Sequence, residues 1–247
     1  MKKIMFGLAA AIAVGALAAG IESSNTVGYS SSQLDDDYGA VLTSPQFIAP
    51  NSNDATITLG AIKPIGLEGS DLSYNIEIQK LNNWGGTVEG FDYIWDGKKW
   101  IDSETNADAS DAVVNSGEGL WIYSMMGESV SFQSVGEVGN ADIVFPLDDD
   151  YGAAAVANGF PVAVKLNDIV LEAAVGVDLG YNIEIQKLNN WGGTVEGFDY
   201  IWDGTKWIDS ETNAAVPDTV VIDPGEGLWV YNMTGEAVSF RIPAPEL

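Results

Sequence analysis

The chain contains no cysteine and no histidine among its 247 residues. The first absence removes disulfides, a thiol nucleophile and a lipid-anchored cysteine after a leader. The second removes a histidine-based catalytic triad, and together they take away the donors that transition metals prefer. Positive charge is scarce too. Ten Lys and Arg face 36 Asp and Glu, for a net charge of −26. Such a surface repels nucleic acid and anionic headgroups. It suits cations, cationic partners or a saline exterior, and it also serves plain solubility. A phosphate-cradling loop is missing: Gly117-Glu-Gly-Leu-Trp121 lacks the Lys-Ser/Thr of a P-loop and opens a strand-like run. Paired carboxylates are a route to glycoside hydrolysis, but abundant acids are not a pair, and no acid–base constellation stands out. The expectation is a protein that is not an enzyme.

Long apolar runs are confined to the start. Lys2 and Lys3 precede Ile4–Ala19, followed by small residues that allow cleavage after Ala18 or Gly20. Residues 1–20 therefore read as a secretory signal peptide, and the mature protein as secreted, extracellular or at the cell surface, with no membrane span left after processing. Apolar content of 46% with 25 aromatic residues supports folded units held by core burial.

The dominant positive feature is a repeat. Tyr74–Ala107 and Tyr181–Ala214 agree at 33 of 34 positions, differing only where Lys98 becomes Thr205. Leu34–Ala40 recurs as Leu147–Ala153, Gly117–Trp121 as Gly225–Trp229, and Val130–Phe132 as Val238–Phe240. The order is the same, so unit one is placed at 21–137 and unit two at 138–247. Identity is uneven, since Leu34 to Tyr74 is six positions longer than Leu147 to Tyr181.

Within a unit the pattern is β. Tyr74, Ile76 and Ile78 alternate with Asn75, Glu77 and Gln79, the period of a half-buried strand with the polar set toward solvent. Asp96-Gly97 predicts a two-residue type I′ hairpin loop, with Trp95 opposite Lys98 and Tyr93 opposite Trp100. Phe91, Tyr93, Trp95 and Trp100 then share a face, as Phe198, Tyr200, Trp202 and Trp207 do in unit two. That face is either core or an exposed aromatic platform; Asp92, Ile94, Lys99 and Ile101 on the other side look solvated. Asn167–Ala174 is the one helical expectation, with Asn167 as its cap. The fold class is all-β: two tandem homologous small β-sandwich or barrel-like domains after a cleaved signal peptide.

Candidate contact residues lie outside the strands. Trp84 and Trp191 sit in Asn-Trp-Gly-Gly turns beside Asn83 and Asn190, an awkward place for a core residue and a plausible one for ligand or partner contact. Asp102, Glu104 and Asn106, repeated as Asp209, Glu211 and Asn213, alternate oxygen donors as a calcium loop does, though without the glycine and helices of an EF-hand. Calcium is the one cofactor considered. Asp35–Asp37 and Asp148–Asp150 are a second acidic run. Thr26, Val27 and Tyr29 form a candidate assembly strand within 21–33, able to add to a sheet edge, including that of a neighbouring molecule.

The start Ile21–Tyr29, the Tyr-Ile-Trp hairpin, the Gly-Glu-Gly-Leu-Trp run and Ser134–Val138 resemble a group of secreted tandem β-repeat proteins of environmental bacteria. The resemblance implies an exported β-repeat protein and carries no site residue. Two functions follow. One is a structural subunit of a surface, matrix or filament that self-associates through β-edges. The other is a glycan-binding protein with two equivalent aromatic sites on a cell-surface polymer.

Overall fold

The structure, a computed structural model, describes residues 27–34, 40–49, 56–80, 92–148, 153–187 and 199–245, with backbone only for 27–33. The leader, Thr26, Asp35–Asp37, Phe91 and Phe198 lie outside the described residues, as do Trp84, Trp191, Asn83 and Asn190.

The described chain is all-β, with ten strands in each repeat. In the first repeat these are β1 (Val27–Leu34), β2 (Ala40–Thr43), β3 (Thr56–Thr58), β4 (Lys63–Ile65), β5 (Ile76–Lys80), β6 (Tyr93–Trp95), β7 (Trp100–Asp102), β8 (Val113–Asn115), β9 (Leu120–Ser124) and β10 (Val130–Glu137). The second repeat has β11 (Ile143–Leu147), β12 (Ala153–Ala157), β13 (Val164–Lys165), β14 (Val170–Ala173) and β15 (Ile183–Lys187). It continues with β16 (Tyr200–Trp202), β17 (Trp207–Asp209), β18 (Val221–Ile222), β19 (Gly227–Asn232) and β20 (Val238–Ile242).

Pairing repeats strand for strand. The orders β1-β10-β4, β2-β9-β5-β6-β7 and β3-β8 recur as β11-β20-β14, β12-β19-β15-β16-β17 and β13-β18. Among the described residues every pairing is antiparallel, and no sheet closes into a barrel. In each repeat the three sheets face one core. The first core gathers Leu34, Ile57, Ile76, Ile78, Trp100, Val114, Ile122 and Phe132; the second gathers their counterparts, including Ile183, Ile185, Trp207, Ile222, Val230 and Phe240.

The aromatic hairpin differs from its expected register. Trp95 stands opposite Trp100 and Tyr93 opposite Asp102, so the loop has four residues, not two. Only Gly97 has positive φ there, at 96°, whereas a type I′ turn needs two such residues. The reason is the Asp96 carboxylate, whose Oδ1 accepts from the Lys98 and Lys99 amides and caps the longer turn. The new register puts Trp95 edge-on to Trp100, with centroids 5.3 Å apart at 68°, and Trp202 and Trp207 repeat this. Trp95, Trp100 and Trp207 are core residues. The opposite face is solvated only in part: Asp92 is exposed and Ile94 and Lys99 are half-buried, but Ile101 and Ile208 are buried.

Two further expectations change. Asn167 caps no helix. It lies in a single 3₁₀ turn, Leu166–Asp168, before β14, and its Nδ2 donates to Val216 O and Asp218 Oδ1. The length difference falls between β2 and β3: Leu42 to Ile57 covers fifteen positions, and the matching Ala155 to Val164 covers nine. Part of the longer connection lies along β10, with Ile48 and Glu137 exchanging backbone hydrogen bonds of 2.9 and 3.0 Å.

Candidate functional site

The Gly-Glu-Gly turns that precede β9 and β19 meet at the junction of the repeats. Glu118 of the first turn bridges Val156 of β12, and Glu226 of the second bridges Thr43 of β2. Thr43 and Val156 are equivalent, facing Leu120 and Leu228 respectively. Each repeat thus lays its turn on the β2-type edge of the other, a pseudo-two-fold arrangement. Two backbone hydrogen bonds and one from a side chain close it: Gly119 N donates to Ala155 O at 3.1 Å, Ala157 N to Gly117 O at 2.9 Å, and Thr43 Oγ1 to Gly225 O at 2.8 Å. Leu42, Ala153, Ala155 and Trp229 pack in the middle with Trp121 and Tyr231. The glycines are required by the approach. A Cβ on Gly227 would meet Leu42 Cγ and O at 2.4 Å, and one on Gly119 would meet Ala155 at 2.9 Å.

Each turn is held by an ion pair that sequence reasoning did not pick out. Lys80 Nζ lies 3.0 Å from Glu118 Oε1 and donates to Val113 O at 2.8 Å; Lys187 repeats both contacts with Glu226 and Val221 O. The remaining carboxylate oxygen accepts the Asn115 amide in one repeat and the Asp223 amide in the other. Asp92 and Asp199 accept the backbone N–H of the same lysines at 2.6 Å. The available signal was a matched lysine in each repeat of a chain with few cations, with the glutamate of Gly-Glu-Gly matched as well. These pairs are closed by hydrogen bonds, so they fix the turns.

Behind the turns, β5 and β15 carry Glu77 and Glu184 opposite Tyr123 and Tyr231. The sequence places Glu77 and Gln79 toward solvent, yet both are half-buried, and Gln186 is buried. The cause is the aromatic row on the neighbouring strand, Trp121 and Tyr123, on the same face. Burial pushes the Glu77 and Glu184 carboxyls above their ordinary range, and Glu184 Oε2 is buried without a hydrogen-bond partner.

The acidic loop after the hairpin is a self-capped turn. Asp102 Oδ1 accepts from Glu104 N at 3.2 Å and from Thr105 N and Oγ1, both at 2.7 Å; Asp209 does the same with Glu211 and Thr212. The threonine hydroxyl and amide hold both aspartates below the usual carboxylate range. Asn106 and Asn213 close the turns at positive φ, 57° and 55°. Glu104 and Glu211 are exposed. Among the described residues no three of His, Cys, Asp or Glu are grouped to hold a metal ion.

In the candidate assembly strand, Val27 and Tyr29 lie in β1, which runs the full length of β10 within the same repeat, Val27 opposite Glu137 and Leu34 opposite Val130. β11 fills the same place beside β20. Among the described residues no helix is long and apolar enough to cross a membrane. Comparison with protein families, with curated proteins and with solved structures finds no match.

Proposed function

We propose that the chain is a non-enzymatic, exported structural protein whose units associate through β-edges into a surface, matrix or filament assembly. The observation that carries this reading is the junction: two like copies already recognise each other through strand edges and turns, with backbone hydrogen bonds beside a shared apolar cluster. Edge-to-edge pairing between copies is the general route by which β-proteins assemble.

The outer edges of the three-stranded sheets differ in kind. β4 and β11 carry Pro64 and Pro146, and proline blunts an edge by removing a donor. β1 and β14 lack proline. They lie at the rims of their sheets, and among the described residues each has one paired neighbour. The reading therefore places β1 of one molecule beside β14 of the next, a head-to-tail contact that propagates. An acidic surface keeps such subunits soluble before they meet.

The test is sedimentation and negative-stain microscopy of the mature chain over rising concentration, with and without residues 21–33. Ordered oligomers that vanish on deletion are expected. A chain that stays monomeric at every concentration would overturn the structural role. Assemblies unchanged by the deletion would overturn the β1 contact alone.

A further inference from the structure

Tyr74 and Tyr181 combine three properties that the fold does not explain. Their backbones are left-handed, with φ of 60° and 59°. Glycine takes this conformation freely and asparagine tolerates it, as Asn106 and Asn213 do here; a tyrosine is strained by its Cβ and gains no local hydrogen bond in return. Their side chains are also exposed, at 58% and 61%. Among the described residues neither phenol makes a hydrogen bond or ring contact. What the fold uses is only the backbone: Tyr74 N donates to Trp95 O at 2.7 Å, and Tyr181 N to Trp202 O at 2.6 Å. Any residue but proline supplies that N–H.

The loop that displays each ring is rigid. Asp71 Oδ1 accepts the Ser73 amide at 3.0 Å, and Asn75 Nδ2 donates to Asp71 O and Ser73 O. Asp178, Gly180 and Asn182 repeat this. The hairpin turn lies against the loop, since a Cβ on Gly97 would meet Ser73 Oγ at 2.3 Å and one on Gly180 would meet Asp203 O at 3.3 Å. Two neighbours on this surface vary between repeats, Ser73 against Gly180 and Lys98 against Thr205, while the strained tyrosine is the same in both. A residue held in an unfavourable conformation by a rigid frame, facing outward, marks a contact.

We propose that Tyr74 and Tyr181 are paired stacking sites for a neutral or amino-bearing polysaccharide. The ring offers a flat face to the C–H side of a pyranose. Asp71 in the same loop and Asp96 in the hairpin turn that lies against it, with Asp178 and Asp203 in the second repeat, offer acceptors to hydroxyl or ammonium groups. Asp71, Asp96 and Asp203 are held ionised by hydrogen bonds from their own turns, which excludes an acidic polymer. Two sites on one chain strengthen retention on a repeating ligand beyond either alone. The inference is independent of edge assembly, because the tyrosines lie outside every strand.

The probes are cellulose, chitin and deacetylated chitin, with calcium-free alginate as the acidic control. The mature chain is expected to be retained by at least one of the first three and not by alginate. Tyr74→Asn with Tyr181→Asn, which suits positive φ, should lower retention at least ~10-fold with melting temperature unchanged or raised. Tyr74→Trp with Tyr181→Trp should keep it. Trp84→Ala with Trp191→Ala, made in parallel, should leave it in place. Failure to bind any neutral or amino polymer overturns the proposal. So do preferential binding to alginate, undiminished binding by the double Asn variant, loss of binding only in the tryptophan variant, or binding lost together with a lowered melting temperature. Oligomer size, read in the same samples, is expected to be unaffected.

Discussion

At Trp100 and Trp207 the two repeats differ by one hydrogen bond in otherwise matching surroundings. Both rings are fully buried, but Trp100 Nε1 donates to Ile62 O at 2.8 Å while Trp207 Nε1 is buried without a partner. Phenylalanine removes a donor that is used in one repeat and unused in the other. Trp100→Phe should therefore be more destabilising than Trp207→Phe by about 1 kcal/mol, as urea midpoints will show. Glu118 allows a second test. Glu118→Gln keeps the turn's acceptor but leaves Lys80 charged and enclosed, so a loss of about 2–4 kcal/mol is expected, partly recovered by adding Lys80→Met. Little of this was legible in the sequence. Matching letters at 100 and 207 conceal an acceptor present in one repeat only, because that acceptor is a backbone carbonyl from a distant segment. Tyr74 reads as an ordinary strand residue by alternation, and only its backbone angle sets it apart.

Among the elements, periodicity located the strands well and turn chemistry less well. β5 and β9 follow the alternation of Ile76–Ile78 and Leu120–Ile122, because one face packs on a core. The hairpin register departs from the Asp-Gly expectation because that signal is strong only when the aspartate side chain is idle. Here it caps two amides and lengthens the loop. The acidic loop offers alternating oxygen donors, and in each copy one aspartate oxygen is also taken up by the turn itself. The Gly-Glu-Gly turns are legible as repeats, but the partner that makes glycine necessary is on the other repeat. Gly227→Ala should loosen the junction more than Gly119→Ala, since the added carbon would meet Leu42 backbone at 2.4 Å against 2.9 Å at Ala155. Limited proteolysis within 138–142 is the measurement, with faster cleavage expected in the order Gly227→Ala, Gly119→Ala, unaltered protein.

For the whole molecule, charge sets the response to solvent. Asp108, with Lys99 as its strongest partner and the Ser110 amide next, is lowered to about 2, and Asp102, Asp142 and Asp209 also lie below 3.8. Groups lowered by folding stabilise it above their unfolded value, and that contribution is lost as pH falls from about 4 toward about 2. Glu77 and Glu184 have the opposite sign: raised above 4.5 by burial, they favour the fold at lower pH and oppose it as pH rises through the raised value. Stability, followed as urea midpoint against pH, should therefore peak in mild acid, near pH 5 as a rough figure, and collapse below about 3. At pH 7 the net charge of −26 makes the fold repel itself, so raising sodium chloride from about 10 mM to about 300 mM should raise the melting temperature. Composition made this behaviour legible, and the repeat made the all-β plan legible. What stayed hidden was how the copies meet, since nothing local encodes a contact between Thr43 and Glu226. That contact has an arithmetic consequence. A surface that fits only its own likeness is exhausted by two, and a gene that gained a third copy would carry one such face with no mate inside its own chain. Pairs of those longer chains would then form through it, while the present chain must grow, if it grows, by some other surface.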